Sequence, residues 1–241
     1  GALNCYTGRS TSELVQVGVE APSKQVDRFL DGQIIKSGHL SVIEHSGPAY
    51  VVEGVSRAAS HQLVRHRHLS YSQQSQRYLD FAKPIYFEQN EAEFPFIISP
   101  RIRAEQETLD IFLNTVGETI KGYYGLRARN VEPEDARLLF ANAASTRIVV
   151  SGNERAWMEL FPKRTCARAQ WEIDMFITEI ARQIGERNRI YTETGPACSL
   201  GKCDQGGRSC KVPLEGTLAE VFDRLEPGES YPHDDLIFGM R

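Results

Sequence analysis

The stretch AYVVEGVSRAASHQLVRHRHLSYSQQSQRY, residues 49–78, sets a strand directly before a helix. Residues 49–55 are rich in β-branched and aromatic side chains, which predicts a strand. Ser56 is a favourable N-cap, so we expect a helix over residues 57–67. Residues 68–76 are rich in Ser and Gln and predict a loop. The stretch therefore predicts a strand and helix that lead into a polar loop.

Positive charge is concentrated around this helix. Between Ser56 and Leu79 there is no Asp, Glu or Lys. Arg57, His61 and Arg65 follow one another at helical spacing, where like charges repel unless an anion binds against them. Guanidinium groups bind phosphate oxygens bidentately, and Ser and Gln can bond the remaining edges of a nucleotide. The stretch thus indicates a site for a small anion, with a solvated charged face as the alternative interpretation.

Composition narrows the class of protein. The 241 residues are 41% hydrophobic and 25% charged, as in an ordinary globular protein. The formal net charge of −4 argues against non-specific nucleic-acid binding, which needs an excess of Lys and Arg. No apolar run approaches the roughly 18 residues of a membrane span. We expect a cytoplasmic protein whose partners include neither nucleic acid nor membrane.

The rest of the chain is predicted to contain several helices. Helical spacing of apolar residues predicts a long helix over residues 100–130, and Pro133 begins another that runs through residues 135–145. Residues 146–152 are predicted to form a strand, and Asn153 to cap the next helix. A last long helix is expected from Arg168 to Arg187. The buried stripes are predicted at Leu109, Phe112, Leu113, Val116 and Ile120 in the first of these helices and at Trp171, Met175, Ile180 and Ile184 in the last.

Four blocks of the sequence resemble, in the same order, the flavin-dependent thymidylate synthases. Arg65, His66 and Arg67, then seven residues, then Ser75 form the RHR-x7-S signature of that family. The other blocks are SVIEH at 41–45, ARLLFANAASTRIVVSGNERAW at 136–157, and the run from Arg164 into AQWEI at 169–173. The resemblance covers roughly residues 38–185.

The resemblance implies a fold, an activity and a set of partners. The family fold is α/β (α+β), with a twisted, largely antiparallel sheet flanked by helices. The family reaction methylates dUMP to dTMP, with carbon from 5,10-methylenetetrahydrofolate, hydride from NADPH through FAD, and no enzyme nucleophile. Members are homotetramers with shared active sites. For this chain the resemblance implies FAD as cofactor, dUMP and folate as ligands, and a homotetramer.

The resemblance also assigns site residues. Arg164 matches the arginine that binds the uracil edge and favours its ionised form, because a cation near N3 and O4 stabilises negative charge in the ring. An ion pair at a helix start is the structural alternative for Arg164. The implied FAD contacts are Ser41, His45, Arg65, His66, Arg67, Gln73, Asn153 and Arg155. The implied dUMP contacts are Arg57, Gln62, Arg65, Gln73, Ser75, Gln76, Arg77, Arg137 and Arg164.

Two positions depart from the family pattern. Arg168 stands where many members have histidine, and Glu159 stands where some relatives place a histidine against the flavin. We assign Glu44 a structural role beside His45 rather than an acid–base role. Cys166 lies two residues after Arg164 and is expected to be a small buried residue or a ligand rather than a nucleophile.

The cysteines near the C-terminus leave two interpretations open. Glycines separate Cys198, Cys203 and Cys210 and would let the backbone wrap a metal, with Cys166 as a fourth thiolate for zinc. The alternative is a set of ordinary thiols and no metal.

Domain organisation and function are predicted together. We expect a single catalytic domain over residues 1–210 and an acidic C-terminal tail over residues 211–241. Two other functions stay open at this point. One is a related flavoenzyme that modifies another pyrimidine nucleotide, and the other is a nucleotide- or RNA-binding module without catalysis.

Overall fold

The computed structural model describes residue 16 and residues 22–45, 47–78, 80–81, 96–201 and 203–225. Internal contacts divide the chain into two compact units. The first unit takes its described residues from 1–50, 66–70 and 151–233, and the second unit from 51–65 and 71–150. The single catalytic domain over 1–210 stays a prediction.

Three strands form one sheet in the order β1-β3-β2. They are Ala49–Ser56 (β1), Ser70–Gln73 (β2) and Ser145–Ser151 (β3). In β3 the side chains of Thr146, Ile148 and Val150 are buried and those between them are exposed, as the alternation of a strand requires. The sheet is open, antiparallel and flanked by helices, which confirms the predicted α/β fold.

Most of the remaining described chain is helical. The helices are Ser23–Phe29 (α1), Arg57–Leu63 (α2), Pro100–Arg103 (α3), Gln106–Arg127 (α4), Pro133–Ala136 (α5), Glu154–Arg164 (α6), Trp171–Arg187 (α7) and Leu218–Arg224 (α8). A π-helical turn at Leu30–Ile35 follows α1. Short 3₁₀ segments lie at Leu40–His45, Arg137–Leu139, Arg189–Thr192, Ala197–Leu200 and Gly206–Arg208. Within the described ranges, none of these helices combines the length and the apolar character needed to cross a membrane.

Two predictions around the opening stretch need correction. Helix α2 is capped as predicted, because Ser56 Oγ accepts a hydrogen bond of 3.0 Å from the N–H of Ala59. It ends at Leu63, however, so Arg65 lies in the turn that follows and does not extend the helical face. The predicted loop contains β2, because backbone hydrogen bonds to β3, such as Gln74 N–H to Arg147 O at 2.9 Å, outweigh the local preference of Ser and Gln.

The second unit has its buried cluster between α4 and the segment before β3. Phe96, Val116 and Ala144 are buried there, and Phe140 packs against them. Of the predicted stripe on α4, only Val116 is fully buried, while Leu109, Phe112, Leu113 and Ile120 are partly buried. The helix predicted from Pro133 ends early, because the backbone at 143–144 instead accepts hydrogen bonds from Ile97 and Arg57.

The first unit is built around α6 and α7. Trp157 and Phe161 of α6 are fully buried, and Ile173 and Ile177 of α7 are completely covered. Gln170 caps α7 by accepting a hydrogen bond of 3.1 Å from the N–H of Ile173, so this helix begins after the predicted Arg168. The buried stripe of α7 runs through Ile173, Ile177, Ile180 and Ile184 at helical spacing, and the predicted Met175 is 40% exposed.

Part of the predicted tail is folded. Thr217 and Glu220 form a capping box that starts α8, and Leu218, Ala219 and Val221 are buried. The N–H of Leu218 also donates to the carbonyl of Thr194 in the same unit. The predicted tail therefore includes an ordered helix, and its remaining residues, 226–241, lie outside the described part of the chain.

Candidate active site

Arg164 and His66 are joined in the first unit. Arg164 is the last residue of α6, and its Nε donates a hydrogen bond of 2.7 Å to Nε2 of His66. Burial, followed by the positive charges of Arg164 and Lys163, lowers the pKa of His66 from 6.5 to about 4. An Nε2 that accepts a hydrogen bond carries no proton, so the geometry and the direction of the pKa shift agree on a neutral imidazole.

Close backbone packing holds this region together. A Cβ on Gly152, just before the cap of α6, would lie 2.2 Å from Cδ2 of Leu69. A Cβ on Gly47 would lie 1.9 Å from the carbonyl oxygen of Gly152. Leu69 is tied to His66 through a backbone hydrogen bond of 3.1 Å. The segment that carries His66 therefore lies directly against the backbone that begins α6, at a distance only glycine permits.

Four of the predicted FAD residues of this unit lie on two elements that pack together. Ser41 and His45 are exposed on the 3₁₀ segment Leu40–His45, which contacts α6. Asn153 caps α6 through a hydrogen bond of 2.9 Å from the N–H of Ala156. The 3₁₀ segment and α6 thus bring together four predicted FAD residues: Ser41, His45, Asn153 and Arg155.

Arg155 is held between two carboxylates. Its Nη1 donates to Oε1 of Glu44 at 2.5 Å, and its Nε donates to Oε1 of Glu159 at 3.1 Å. These bonds raise the pKa of Arg155, with the Glu44 bond as the larger cause. Glu159, which replaces a histidine of the family pattern, therefore has a partner that sequence reasoning did not identify. The i, i+4 spacing of Arg155 and Glu159 on a helix is the signal that could have found it.

Two of the predicted dUMP residues of the second unit, Arg57 and Arg137, lie near enough for their charges to interact. Arg57 donates from Nη2 to the carbonyl of Gln74 at 2.9 Å. Burial lowers the pKa of Arg57, and the positive charge of Arg137 lowers it further. Among the described residues, the buried Nε of Arg57 and the buried Nε2 of Gln76 have no hydrogen-bond partner. The unpaired buried donor of Arg57, on which the like charge of Arg137 acts, indicates a place for an anionic acceptor.

Glu134 accepts hydrogen bonds from two of the predicted dUMP residues. Arg77 Nε donates to Oε2 of Glu134 at 2.5 Å, and Arg137 Nε donates to the backbone carbonyl of Glu134 at 3.0 Å. Ser75 Oγ accepts a hydrogen bond of 3.1 Å from the N–H of Arg77. Glu134 was not identified from the sequence, because nothing local relates it to a residue 57 positions away.

The remaining predicted residues are placed differently. Gln73 Nε2 donates to Ser60 Oγ at 2.8 Å and to Thr146 Oγ1 at 3.3 Å, so its amide supports the sheet and α2. Gln62, Arg65 and Arg67 are exposed. Two of the predicted FAD residues, Arg65 and Gln73, belong to the second unit, and the others belong to the first. Of the predicted dUMP residues, only Arg164 belongs to the first unit.

The cysteines that were zinc candidates form no metal site among the described residues. Within the described residues, which include Cys166, Cys198, Cys203 and Cys210, no group of three or more His, Cys, Asp or Glu is arranged to hold a metal ion. Cys203 is exposed and the other three are partly buried, and the charges of Cys198 and Cys210 act on the Cys166 thiol. Burial raises the pKa of the Cys166 thiol, which disfavours the thiolate that a nucleophile needs.

Comparison with known proteins agrees with the sequence blocks. The family described as thymidylate synthase complementing protein matches residues 2–187. A flavin-dependent thymidylate synthase of Geobacter sulfurreducens is 38% identical over 218 residues, which cover 90% of this chain and 87% of that protein. The corresponding protein of Clostridium tetani is 34% identical over 228 residues, with 88% and 86% covered. That of Pyrococcus abyssi is 36% identical over 179 residues, with 72% and 71% covered.

Proposed function

The chain belongs to the flavin-dependent thymidylate synthase family, and on that basis we propose that it converts dUMP to dTMP. The carbon donor is 5,10-methylenetetrahydrofolate, and the reductant is NADPH acting through FAD. No observation on this chain favours the alternative pyrimidine substrate or the non-catalytic binding module, so we propose no second function.

The observation that carries the proposal is the unpaired buried donor of Arg57 in the second unit. Arg57 Nε and Gln76 Nε2 are buried without a partner among the described residues, and Arg57 is next to the charge of Arg137. A buried donor without an acceptor costs free energy, about 1–3 kcal/mol, which an oxygen of a bound nucleotide would recover. The phosphate of dUMP would supply both the charge and the acceptors.

Arg164 is proposed to act on the pyrimidine ring. Transfer of carbon to C5 develops negative charge on the ring, and a fixed guanidinium close to the base edge stabilises that charge in a site with little water. Arg164 is partly buried and hydrogen-bonded to His66, which supports a fixed position. Cys166 is expected to remain protonated and to take no part as a nucleophile, as its raised pKa supports.

The first unit offers groups that fit a flavin nucleotide. Ser41 and His45 present an exposed hydroxyl and an exposed imidazole, and α6 begins beside them with backbone N–H groups that favour a phosphate. Bound FAD would supply the hydride that turns the transferred methylene group into a methyl group. Arg155 fits a direct contact less well, because Glu44 and Glu159 occupy two of its nitrogens. We propose that Arg155 instead holds the segment that carries Ser41 and His45.

We also propose a quaternary structure and a location for the chain. A homotetramer is supported by large apolar side chains on the surface of the second unit, since Leu138 is 80% exposed and Ile111 is 61% exposed. A cytoplasmic location is supported by the ordinary composition of the chain.

Binding and turnover of the Arg57→Gln variant test the proposal. The full chain with added FAD is titrated with dUMP by calorimetry, and dTMP is measured with methylenetetrahydrofolate and NADPH present. Losing a charged hydrogen-bond donor should weaken dUMP binding about tenfold to a hundredfold. Arg147→Gln is the matched control, because Arg147 is an exposed arginine of the same unit, paired with Glu53 on the sheet surface. Equal dUMP affinity in both variants, or no dTMP from the parent chain, would contradict the proposed function.

A further inference from the structure

We propose that His66 is a positioning residue for Arg164. Its neutral imidazole, with the proton on Nδ1, accepts the hydrogen bond from Arg164 Nε and so sets the direction of the guanidinium edge that meets the substrate. The proposal depends on the proposed function only for the identity of that substrate as a pyrimidine nucleotide. The hydrogen bond and the tautomer can be measured without any substrate.

The geometry of the hydrogen bond restricts Arg164. The guanidinium group is planar, and its Nε–H lies in that plane, so a bond of 2.7 Å at Nε fixes the plane of the group. The orientation of the Nη1 and Nη2 groups then follows from the position of His66. An arginine side chain without such a bond has several rotatable bonds and about 2 kcal/mol of rotamer entropy to lose when it binds a ligand.

Both partners of this bond are themselves held. Arg164 is followed by Thr165, which is completely buried and whose Oγ1 donates to the carbonyl of Phe161 at 2.8 Å. His66 is in a turn closed by its bond to Leu69, which rests against Gly152. The two residues are 98 positions apart in the sequence and both are partly buried. The contact is therefore built by the packing of the unit rather than by two mobile surface side chains.

The electrostatic surroundings keep His66 neutral. Burial and the charges acting on it, Arg164 and Lys163 at the end of α6, all disfavour a proton on the second ring nitrogen. A neutral imidazole has one donor and one acceptor nitrogen. Because Nε2 is the acceptor here, the donor is Nδ1. A protonated His66 would place a donor against a donor and lose the contact with Arg164.

The first experiment reads the tautomer directly. The full chain, labelled with ¹⁵N in its six histidines, is titrated by NMR without substrate, and His66→Gln identifies the His66 signals. We expect an Nδ1–H tautomer and a titration midpoint of His66 near pH 4, in agreement with its lowered pKa of about 4. In Arg164→Met the midpoint should move toward the ordinary value. An Nε2–H tautomer in the parent chain, or a midpoint near the ordinary value, overturns the proposal while leaving the proposed function untouched.

The second experiment separates positioning from general support of the fold. His66→Leu removes the acceptor, and misplacement of Arg164 should lower kcat by up to about a hundredfold with a smaller change in KM for dUMP. His66→Gln keeps an acceptor and should recover part of that loss. His68→Leu, at an exposed neighbouring position, is the control and should behave like the parent chain. Equal kcat in His66→Leu and His66→Gln overturns the positioning role.

Discussion

At His66, one side chain links the pH dependence of stability to the position of Arg164. The pKa of His66 is lowered to about 4 in the folded chain and returns to 6.5 when the chain unfolds. Between these values the unfolded chain binds a proton that the folded chain does not, so the free energy of unfolding rises with pH in this window. Stability is thus lost as pH falls from 6.5 toward 4, and this residue adds no further loss below that.

The corresponding prediction compares the parent chain with His66→Gln in urea unfolding between pH 7.5 and 4. Gln does not titrate, so the part of the decline that His66 causes should disappear. Because His66 is only partly buried, solvent screening reduces this part to about 1 kcal/mol. Lys163→Gln keeps the histidine but removes one of the charges acting on it, and should retain a smaller decline. Parallel curves for the parent chain and His66→Gln would contradict the lowered pKa.

At the scale of elements, Glu44 and Arg155 connect the 3₁₀ segment Leu40–His45 to α6. Both side chains of this pair are 40% exposed, so we expect a modest contribution to structure and no large change in overall stability. Its consequence lies instead in the position of Ser41 and His45. These residues sit on a short segment that has little helical stability of its own and relies on its contact with α6.

Glu44→Gln is therefore expected to weaken FAD binding about twofold to fivefold, as the loss of one exposed ion pair implies. Flavin fluorescence quenching on titration of the full chain measures this affinity. The control is Glu118→Gln, which removes an exposed carboxylate paired with Lys121 on α4. If Arg155 bound the flavin phosphates directly, freeing it from Glu44 would strengthen FAD binding, and that result would reject the supporting role.

At the scale of the whole molecule, packing of separate backbone segments decides the site. In the first unit, Gly47 and Gly152 approach so closely that a Cβ on Gly47 would lie 1.9 Å from a backbone oxygen. A backbone oxygen cannot rotate away, whereas the atom that a Cβ on Gly152 meets, Leu69 Cδ2, ends a flexible side chain. The two glycines should therefore differ in their tolerance to substitution.

We predict that Gly47→Ala lowers the free energy of unfolding by about 3 kcal/mol, and Gly152→Ala by about 1 kcal/mol. Gly117→Ala provides the control, because a Cβ at this position in α4 meets nothing within 4 Å. Alanine there should stabilise the chain by about 0.5–1 kcal/mol through its higher helix propensity. Urea unfolding of the three variants measures the order of their stabilities. A Gly47→Ala chain as stable as the parent would show that Gly47 and Gly152 do not pack tightly.

Local features of the fold were predictable from the sequence because their causes are local. Ser56 and Asn153 each accept a hydrogen bond from an N–H three residues later, so both caps follow from residue type and spacing. The alternation in β3 repeats every two residues, and it too can be seen along the chain. The errors are of another kind. The buried stripe of α7 includes Ile173 and Ile177 instead of Met175, and Ser and Gln at 70–73 became a strand through bonds to β3.

The sequence by itself determined the family, the opening strand and capped helix, and the residue types available for an anion and a flavin. Only the tertiary structure decided which of these side chains meet: His66 with Arg164, Arg155 with Glu44, Arg77 with Glu134. Among the described residues, it forms no group of three or more metal-ligating side chains at the four cysteines that were zinc candidates. The physical reason is the separation along the chain over which each interaction acts. Cap bonds and strand alternation act over two or three residues, whereas these pairs join positions 57 to 111 residues apart and form only when packing brings their elements together.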